Sequence, residues 1–276
     1  NNMTQIDHFL SLDNRVAIIT GAATGLGAAT AQLLSQAGAR VVINHMPGQE
    51  PQAQSVAKNC PNDSLCYAAD ITNDEECKGM AQAAIQQWGQ IDILINNAGI
   101  NKPANHHDLD GLSAEDFLNI YNVNVVGAYQ MIRAVAPAMR TQNKGVVVNI
   151  SSGSGEFGNG SSVAYSASKG AMNTMTKSLG RALAPSIRVN AVCPGFIDTP
   201  IWDKLDLTDE EREAQRQANI AETPLQLEAK PELIARSILF LACDLSAHLT
   251  GQLITSDGGM LLGVYQPWFD DENQSS

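Results

Sequence analysis

The sequence predicts an α/β fold: a doubly wound parallel sheet of about seven strands with helices on both faces. Short apolar runs alternate with longer stretches of helical character along most of the chain. The first run, Arg15–Thr20, leads directly into a glycine-rich turn, Gly21–Gly27, and then into a helical stretch that ends at Gly38. No linker-like stretch interrupts this alternation. We therefore expect a single domain over residues 1–276, with a core at 12–263.

Six further apolar runs complete the predicted sheet. Each is short and rich in branched residues, as buried parallel strands are. They are Arg40–Asn44, Ser64–Ala69, Ile91–Ile95, Gly145–Ile150, Ile187–Cys193 and Gln252–Ser256. A capping-box pattern at Thr72–Glu75 predicts a helix running to Trp88, and Ser113–Asp116 predicts the start of a long helix that reaches about Arg140.

Charge and composition exclude several classes of protein. The net charge of -12 and the pI of 4.7 argue against a nucleic-acid partner, which would need a basic face. No apolar run reaches membrane-spanning length and no signal-peptide pattern is present, so we expect no membrane partner. Five scattered cysteines without Cys-x-x-Cys spacing indicate reduced thiols in a cytoplasmic protein.

The glycine-rich turn has the context of a phosphate-binding loop. Glycines let the backbone pass close to a pyrophosphate, and the start of the following helix offers free N–H groups and the positive end of its dipole. Three glycines alone are also compatible with a plain tight turn. The strand before them and the helix after them favour cofactor contacts from Gly21, Thr24, Gly25, Leu26 and Gly27.

The choice between NAD and NADP depends on the end of the second strand. An acidic residue there favours NAD, and a basic residue favours NADP. The chain has Asn44, His45 and Met46 instead, so neither rule applies directly. His45 either contacts a 2′-phosphate or is an exposed loop histidine without a role. The missing acid favours NADP.

Tyr165 and Lys169 are four residues apart in a segment with helical character. On a helix this spacing places both side chains on one face, about 6 Å of rise apart. A phenol with a pKa of about 10 becomes half ionised at pH 7 only if its pKa falls by about 3, which corresponds to about 4 kcal/mol. Lys169 could supply part of this and a cationic cofactor more. The alternative is a solvated helix face without a function.

Two other polar groups have competing interpretations. Asn124 lies among apolar residues of the long helix, where it is a packing residue, a kink or the ligand of a water. His106-His107-Asp108 is the one cluster with metal-ligand chemistry, and a surface loop is the simpler interpretation, so we expect no metal. No Gly-x-Ser-x-Gly pattern supports a serine hydrolase.

Further motifs follow the strands: Asp70-Ile71, Asn96-Asn97-Ala98-Gly99, Ser152 thirteen residues before Tyr165, and Pro194-Gly195 with Thr199. Together with the glycine turn, this set resembles the short-chain dehydrogenase/reductase family from about Leu12 to Gly263. The resemblance implies a Rossmann-type fold and an NAD(P)-dependent oxidoreductase. It also implies cofactor contacts from Asp70, Ile71, Asn97, Ala98, Gly99, Tyr165, Lys169, Pro194, Gly195, Ile197 and Thr199.

The resemblance also assigns catalytic roles. Tyr165 would exchange a proton with the substrate oxygen, and Ser152 would hydrogen-bond that oxygen. Lys169 would lower the pKa of the phenol and bind the nicotinamide ribose, while Asn124 would hold a water of a proton relay. Relatives form homotetramers through the two helices that carry Asn124 and Tyr165. Met172, Met175 and Leu179 are candidates for that interface or for the core.

The substrate is predicted only as a small alcohol or ketone. Ser152, Ser154, Glu156 and Phe157 would line one side of its pocket, and Trp202 with a lid-like insertion at 198–230 the other. A secondary alcohol, polyol or sugar is one candidate, and a 3-oxoacyl thioester on an acyl-carrier protein is the alternative. Overall acidity disfavours an acidic carrier. A dinucleotide-binding sensor or scaffold without catalysis would normally lack Tyr165 or Lys169.

Overall fold

The computed structural model describes residues 5–196, 208–221 and 223–263. Seven parallel strands form one sheet in the order β3-β2-β1-β4-β5-β6-β7. Their bounds are β1 Val16–Ile19, β2 Arg40–His45, β3 Ser64–Ala68, β4 Ile93–Asn96, β5 Gly145–Ile150, β6 Ile187–Pro194 and β7 Leu253–Ser256. The predicted strand number and fold class are confirmed.

Helices connect the strands and cover both faces of the sheet. Their bounds are α1 Gln5–Leu10, α2 Gly25–Gln36, α3 Glu50–Lys58, α4 Asp74–Trp88, α5 Ala114–Tyr121, α6 Ala128–Thr141, α7 Ser154–Phe157, α8 Val163–Ala182, α9 Asp209–Ala221 and α10 Pro231–Ala242. A π-helical segment, Asn122–Gly127, joins α5 to α6, and 3₁₀ turns lie at Asp244–Ser246 and Met260–Leu262. Among the described helices, none is long and apolar enough to cross a membrane.

Alternate residues of the buried strands build two cores. Ala17 and Ile19 pack with α2 and α10 on one face, while Val16 and Ile18 pack with α4 and α6 on the other. This is why the strands appear in the sequence as continuous apolar runs rather than as an alternating pattern. Met172 of α8 is fully buried and therefore belongs to the interior, whereas Met175 and Leu179 are partly exposed.

One local prediction was wrong for an identifiable reason, and another was confirmed with a local distortion. The cap of α4 is Asn73, whose side chain accepts a hydrogen bond from the Glu75 N–H, and not Thr72. Thr72 is engaged elsewhere, because its N–H and its hydroxyl both donate to Asp70 Oδ1. The predicted long helix from Ser113 has its capping box, but it is interrupted by the π-helical segment that contains Asn124.

The parallel topology brings the ends of all seven strands to one edge of the sheet. The order reverses between β1 and β4, where ligands bind in open α/β sheets. The glycine turn follows β1, Asn97 follows β4 and Ser152 follows β5, so the predicted site residues gather at this edge. Ile197, Thr199 and Trp202, together with the part of the predicted lid at 198–207, lie outside the described residues.

Candidate active site

The turn after β1 is shaped by glycines, two through their backbone conformation and one through close packing. Gly21 and Gly25 have φ values of +61° and +55°, in the left-handed region that favours glycine. A Cβ on Gly27 would lie 2.6 Å from Asn97 Nδ2 and even closer to the Gly21 carbonyl oxygen. The Thr24 side chain does not cap α2, so the first turn of that helix keeps N–H groups for an anion.

Polar side chains from neighbouring strands hold this turn in place. Asn97 Nδ2 donates to the carbonyls of Thr20 at 3.0 Å and Gly21 at 3.1 Å. The Thr20 hydroxyl accepts the N–H groups of Asn97 and Ala98. Asn44 accepts the Gly21 N–H at 3.1 Å and donates to the Ala69 carbonyl at 3.0 Å. Asn44 and Asn97 therefore hold the backbone of the turn in place through hydrogen bonds.

His45 is the last residue of β2 and is only 3% exposed, so the alternative of an exposed loop histidine is wrong. Its Nδ1 lies 3.0 Å from the Met46 carbonyl oxygen, which can only accept, so Nδ1 is the donor in this contact. The carboxylate of Glu50 accepts the Gly48 N–H, and its pKa is lowered chiefly by backbone hydrogen bonds and also by the nearby His45. A carboxylate thus lies close to the end of β2 after all.

Asp70 and Ile71 border the same edge behind β3. Ile71 is buried against the π-helical segment, where a Cβ on Gly127 would lie 2.7 Å from Ile71 Cδ1. One oxygen of Asp70 is occupied by Thr72, and the Asp70 N–H donates to Glu76 at 2.6 Å. The position predicted for a cofactor contact is therefore a hydrogen-bonded turn in which Thr72 occupies Asp70 Oδ1 and leaves the second oxygen for a ligand.

A cavity of about 420 Å³ opens at the ends of β4, β5 and β6. It is lined by eight residues that the sequence singled out: Asn97, Gly99, Ser152, Ser154, Tyr165, Lys169, Pro194 and Gly195. Segments from β5, α8 and β6 thus converge on a space large enough for a small molecule.

Tyr165 and Lys169 lie one turn apart on α8, as their spacing predicted. Lys169 Nζ is 5.6 Å from the centroid of the Tyr165 ring and donates to the Ile150 carbonyl at 2.8 Å. Burial raises the pKa of Tyr165, and a hydrogen bond from Ser152 opposes that rise. Burial lowers the pKa of Lys169 to about 8. Desolvation is the larger effect on the phenol pKa, and the opposing effect comes from Ser152 and not, as expected, from Lys169.

Asn124 is fully buried in the π-helical segment. Its Nδ2 donates to the Ile100 carbonyl at 2.9 Å and to Ser168 Oγ at 3.0 Å, and its Oδ1 accepts the Ile100 N–H at 2.8 Å. It is therefore a satisfied packing residue at a helix distortion, and π segments of this kind recur at functional sites. A Cβ on Gly99 would lie 3.2 Å from Asn124 Oδ1 and 3.7 Å from Lys169 Nζ, so Gly99 separates the two side chains.

Two predicted substrate contacts do not reach the cavity. Glu156 and Phe157 belong to α7, a single helical turn, and both are exposed. Gly155 and Ser154 turn inwards instead, since a Cβ on Gly155 would collide with the backbone of Lys169. Glu156 and Phe157 are therefore exposed residues outside the lining of the cavity.

Other lining residues were missed by the sequence analysis. They come from loops and from segments far along the chain: Asn101, Asn159, Ser161, Phe196, Asn219 and Met260. His106, from the cluster considered for metal binding, donates from Nε2 to the Gly160 carbonyl at 2.9 Å and so braces the cavity wall. Within the described residues no group of three metal-ligating side chains occurs.

Comparisons with known proteins agree with this geometry. Residues 21–261 match the family model described as Enoyl-(Acyl carrier protein) reductase. The chain is 38% identical over 255 residues to the 3-oxoacyl-(acyl-carrier-protein) reductase FabG of Thermotoga maritima, covering 92% of this chain and 100% of the relative.

Solved structures with the same fold are also similar in sequence. A protein described as a short-chain dehydrogenase/reductase from Burkholderia xenovorans superposes with a TM-score of 0.83 at 37% identity, covering 92% of this chain and 100% of that chain. A short-chain dehydrogenase/reductase from Brucella melitensis, described as a glucose/ribitol dehydrogenase, gives a TM-score of 0.80 at 28% identity, covering 90% and 97% of the two chains.

Proposed function

This chain belongs to the short-chain dehydrogenase/reductase family, and from that premise we propose that it interconverts a secondary alcohol and its carbonyl compound, with Tyr165 as the acid/base. The family comprises NAD(P)-dependent oxidoreductases that act on CH–OH groups. The observation that carries the assignment of residues is the convergence of Ser152, Tyr165 and Lys169 on one cavity at the carboxyl edge of the sheet. The two hydroxyls and the ammonium are the groups that an alcohol proton transfer requires.

In this proposal Tyr165 gives a proton to the substrate oxygen during reduction and takes it back during oxidation. Ser152 hydrogen-bonds the same oxygen and fixes its position. The nicotinamide, when bound, supplies or accepts the hydride and adds a positive charge in its oxidised form. Burial raises the pKa of Tyr165, so the phenol is held protonated until a cation stabilises the phenolate.

Lys169 is suited to respond when Tyr165 gains or loses its proton. Its pKa of about 8 leaves it readily able to lose and regain a proton near neutrality, and its Nζ already donates to Ile150. Both amide hydrogens of Asn124 are used, so a relay water between Lys169 and solvent would bind an oxygen of Asn124. We propose that these two residues supply the proton that Tyr165 transfers.

Replacing Tyr165 by Phe tests this assignment. The variant keeps the ring and loses the hydroxyl, so we expect turnover to fall by about 10³-fold or more while the cofactor still binds. Steady-state rates and fluorescence titration with NADPH and NADH measure the two quantities. Near-normal turnover would remove Tyr165 from the proposed role. A wild-type protein that binds the cofactor but turns over no substrate would favour the dinucleotide-binding sensor or scaffold.

The glycine turn fits a dinucleotide, because its shape depends on close backbone approach and its helix lacks a side-chain cap. We propose NADP as the preferred cofactor, since Asn44, His45 and Met46 provide no carboxylate at the end of β2. Glu50 is the opposing consideration, as it lies near His45. Dissociation constants for NADPH and NADH decide the matter: tighter binding of NADH by tenfold or more would reverse the preference.

For the substrate we propose a neutral, hydroxyl-bearing alcohol such as a polyol or sugar. Besides Asn97, which holds the glycine turn, the cavity is lined by Asn101, Asn159 and Asn219, whose amides can both donate and accept hydrogen bonds. Among the described lining residues, the only charged side chain is Lys169, which is buried and bonded to Ile150. The structural neighbour described as a glucose/ribitol dehydrogenase supports the same class.

A 3-oxoacyl thioester is the second candidate, because the chain matches the whole length of the Thermotoga maritima relative. Rates with a panel of sugars and polyols, compared with acetoacetyl thioester at equal concentration, separate the two. A kcat/KM at least tenfold higher for the thioester would overturn the polyol proposal. A preference for polyols would mean that this chain shares its fold and mechanism with the Thermotoga maritima relative, but not the substrate.

We also propose a homotetramer in the cytoplasm. α5 and α8 pack together, and an apolar face remains exposed on them and on the start of α6 at Phe117, Leu118, Tyr121, Tyr129 and Val163. We propose that a second copy of the chain covers this face. The face takes the place of Met172 as the candidate interface, because Met172 is buried within the chain. All five cysteines are free, as in a reducing compartment. Sedimentation velocity giving a monomer would exclude the assembly.

A further inference from the structure

Ser154 begins α7 and is only 6% exposed, two residues after Ser152. Its backbone N–H donates to Ser152 Oγ at 3.2 Å, and its own hydroxyl donates to the same atom at 2.9 Å. A hydroxyl oxygen has two lone pairs and one proton. The two bonds from Ser154 therefore use the acceptor capacity of Ser152, and the Ser152 proton must point elsewhere.

The Ser152 proton remains available to an oxygen atom in the cavity that Ser152 lines. Ser152 lines the same cavity as Tyr165, and hydrogen bonding by Ser152 opposes the rise in the pKa of Tyr165 that burial causes. A donor to the phenol oxygen has this effect, because it stabilises the phenolate. The order of donation is thus from Ser154 to Ser152, and from Ser152 to the Tyr165 oxygen or to the substrate oxygen.

Close packing prevents Ser154 from leaving this arrangement. A Cβ on Gly160 would lie 2.8 Å from Ser154 Cβ and 2.9 Å from Ser154 Oγ, so the Gly160 backbone closes over the side chain. Gly160 is itself held by its N–H, which donates to Ser166 Oγ at 3.1 Å, and by its carbonyl, which accepts from His106. The hydroxyl of Ser154 is therefore confined to the side of Ser152.

We propose that Ser154 is a positioning residue that acts through Ser152 and does not contact the substrate. By donating to Ser152 it directs the Ser152 proton to the oxygen that changes charge during the reaction. Because hydrogen bonds in a chain polarise one another, it also strengthens that donation. This inference rests on the proposed function, and it replaces the sequence-based prediction of Ser154 as a substrate contact.

A double-mutant cycle between Ser152 and Ser154 tests the proposal. Ser154→Ala removes the hydroxyl and leaves the backbone donor, so we expect kcat to fall about tenfold with KM changed less than twofold. The pH profile of alcohol oxidation should move to higher pH, since the phenolate loses stabilisation. In a Ser152→Ala background, Ser154→Ala should change kcat by less than twofold, because its acceptor is gone. Ser178→Ala, an exposed serine on α8, is the control.

Three results would overturn the role of Ser154. One is an equal loss of kcat in both backgrounds, which would mean that Ser154 acts independently of Ser152. Another is a rise in KM with kcat and the pH profile unchanged, as expected for a substrate contact. The third is a Ser154→Ala variant with unchanged kcat and pH profile, in an enzyme whose activity is lost in Tyr165→Phe. If instead activity survives Tyr165→Phe, the proposed function fails and the inference about Ser154 fails with it.

Discussion

The two sides of the cavity are built by different forces. On the cofactor side, buried or partly buried side chains at strand ends tie the glycine turn to β1, β2 and β4 through uncharged hydrogen bonds of 2.9 to 3.1 Å. On the substrate side, α9 brings Asn219 to the cavity and is linked to the following segment by the ion pair Arg216–Glu228 at 3.2 Å, with both side chains 28% exposed. Uncharged hydrogen bonds between strand ends are insensitive to salt, whereas a partly exposed ion pair is weak and is screened by salt. The cofactor side should therefore tolerate few changes, and the substrate side should be adjustable.

The largest effect is expected for Gly27→Ala on the cofactor side. The new Cβ would meet the Gly21 carbonyl and Asn97 Nδ2, and neither the backbone nor the bonded amide can move without opening the turn. Overpacking of this kind costs about 1–3 kcal/mol, so we expect the cofactor dissociation constant to rise by up to about 100-fold. Isothermal titration measures it. Gly89→Asn, at a left-handed C-cap with open space, is the control and should bind normally. Unchanged binding in Gly27→Ala would contradict the rigid cofactor side.

Tyr165 lies where the two sides meet, and the pH dependence of both reaction directions should reflect it. Oxidation needs the phenolate, so its kcat should rise with pH by up to about tenfold per unit, and should level off above the apparent pKa of Tyr165. Reduction needs the phenol, so its kcat should be constant below the same pKa and fall above it. Rates between pH 6 and 10 in both directions measure this, with a solvent isotope effect to show that proton transfer limits turnover. Flat profiles under those conditions would contradict the acid/base role.

The same contrast explains which residues the sequence could predict. Gly21, Asn97, Ser152, Tyr165 and Lys169 lie in or next to regular elements, where periodicity and short spacing determine which residues share an edge or a face. Asn101, Asn159 and Asn219 reach the cavity from connections and from α9, whose placement depends on tertiary contacts that no local pattern encodes. Local competition accounts for other errors: Asp70 captures Thr72 and moves the start of α4 by one residue.

On the substrate side, Asn219→Leu should change substrate use alone. One neutral hydrogen bond is worth about 0.5–1.5 kcal/mol, so we expect KM for a polyol substrate to rise about three- to tenfold while the cofactor dissociation constant stays constant. Gln217→Leu likewise replaces a side-chain amide by leucine, at an exposed position of α9, and should leave KM and the cofactor dissociation constant unchanged. A parallel loss of cofactor affinity in Asn219→Leu would show that the two sides are not separable.

The smallest effect is expected for Glu228→Gln, which removes one partner of the ion pair with Arg216 and keeps the shape of the side chain. Arg216 retains its bonds to Glu213 within α9, so the helix itself should persist while its connection to residue 228 weakens. Pairs at the surface contribute about 0.2–1 kcal/mol, which predicts a rise in substrate KM of about 1.4- to fivefold at low salt. Because the Debye length falls to about 3 Å at 1 M salt, the wild type should approach the variant as salt is added. Lys78→Gln removes exposed ion pairs on α4 and should show no such convergence. Equal KM values for Glu228→Gln and the wild type at low salt would mean that α9 is held by packing, and that the substrate side is as rigid as the cofactor side.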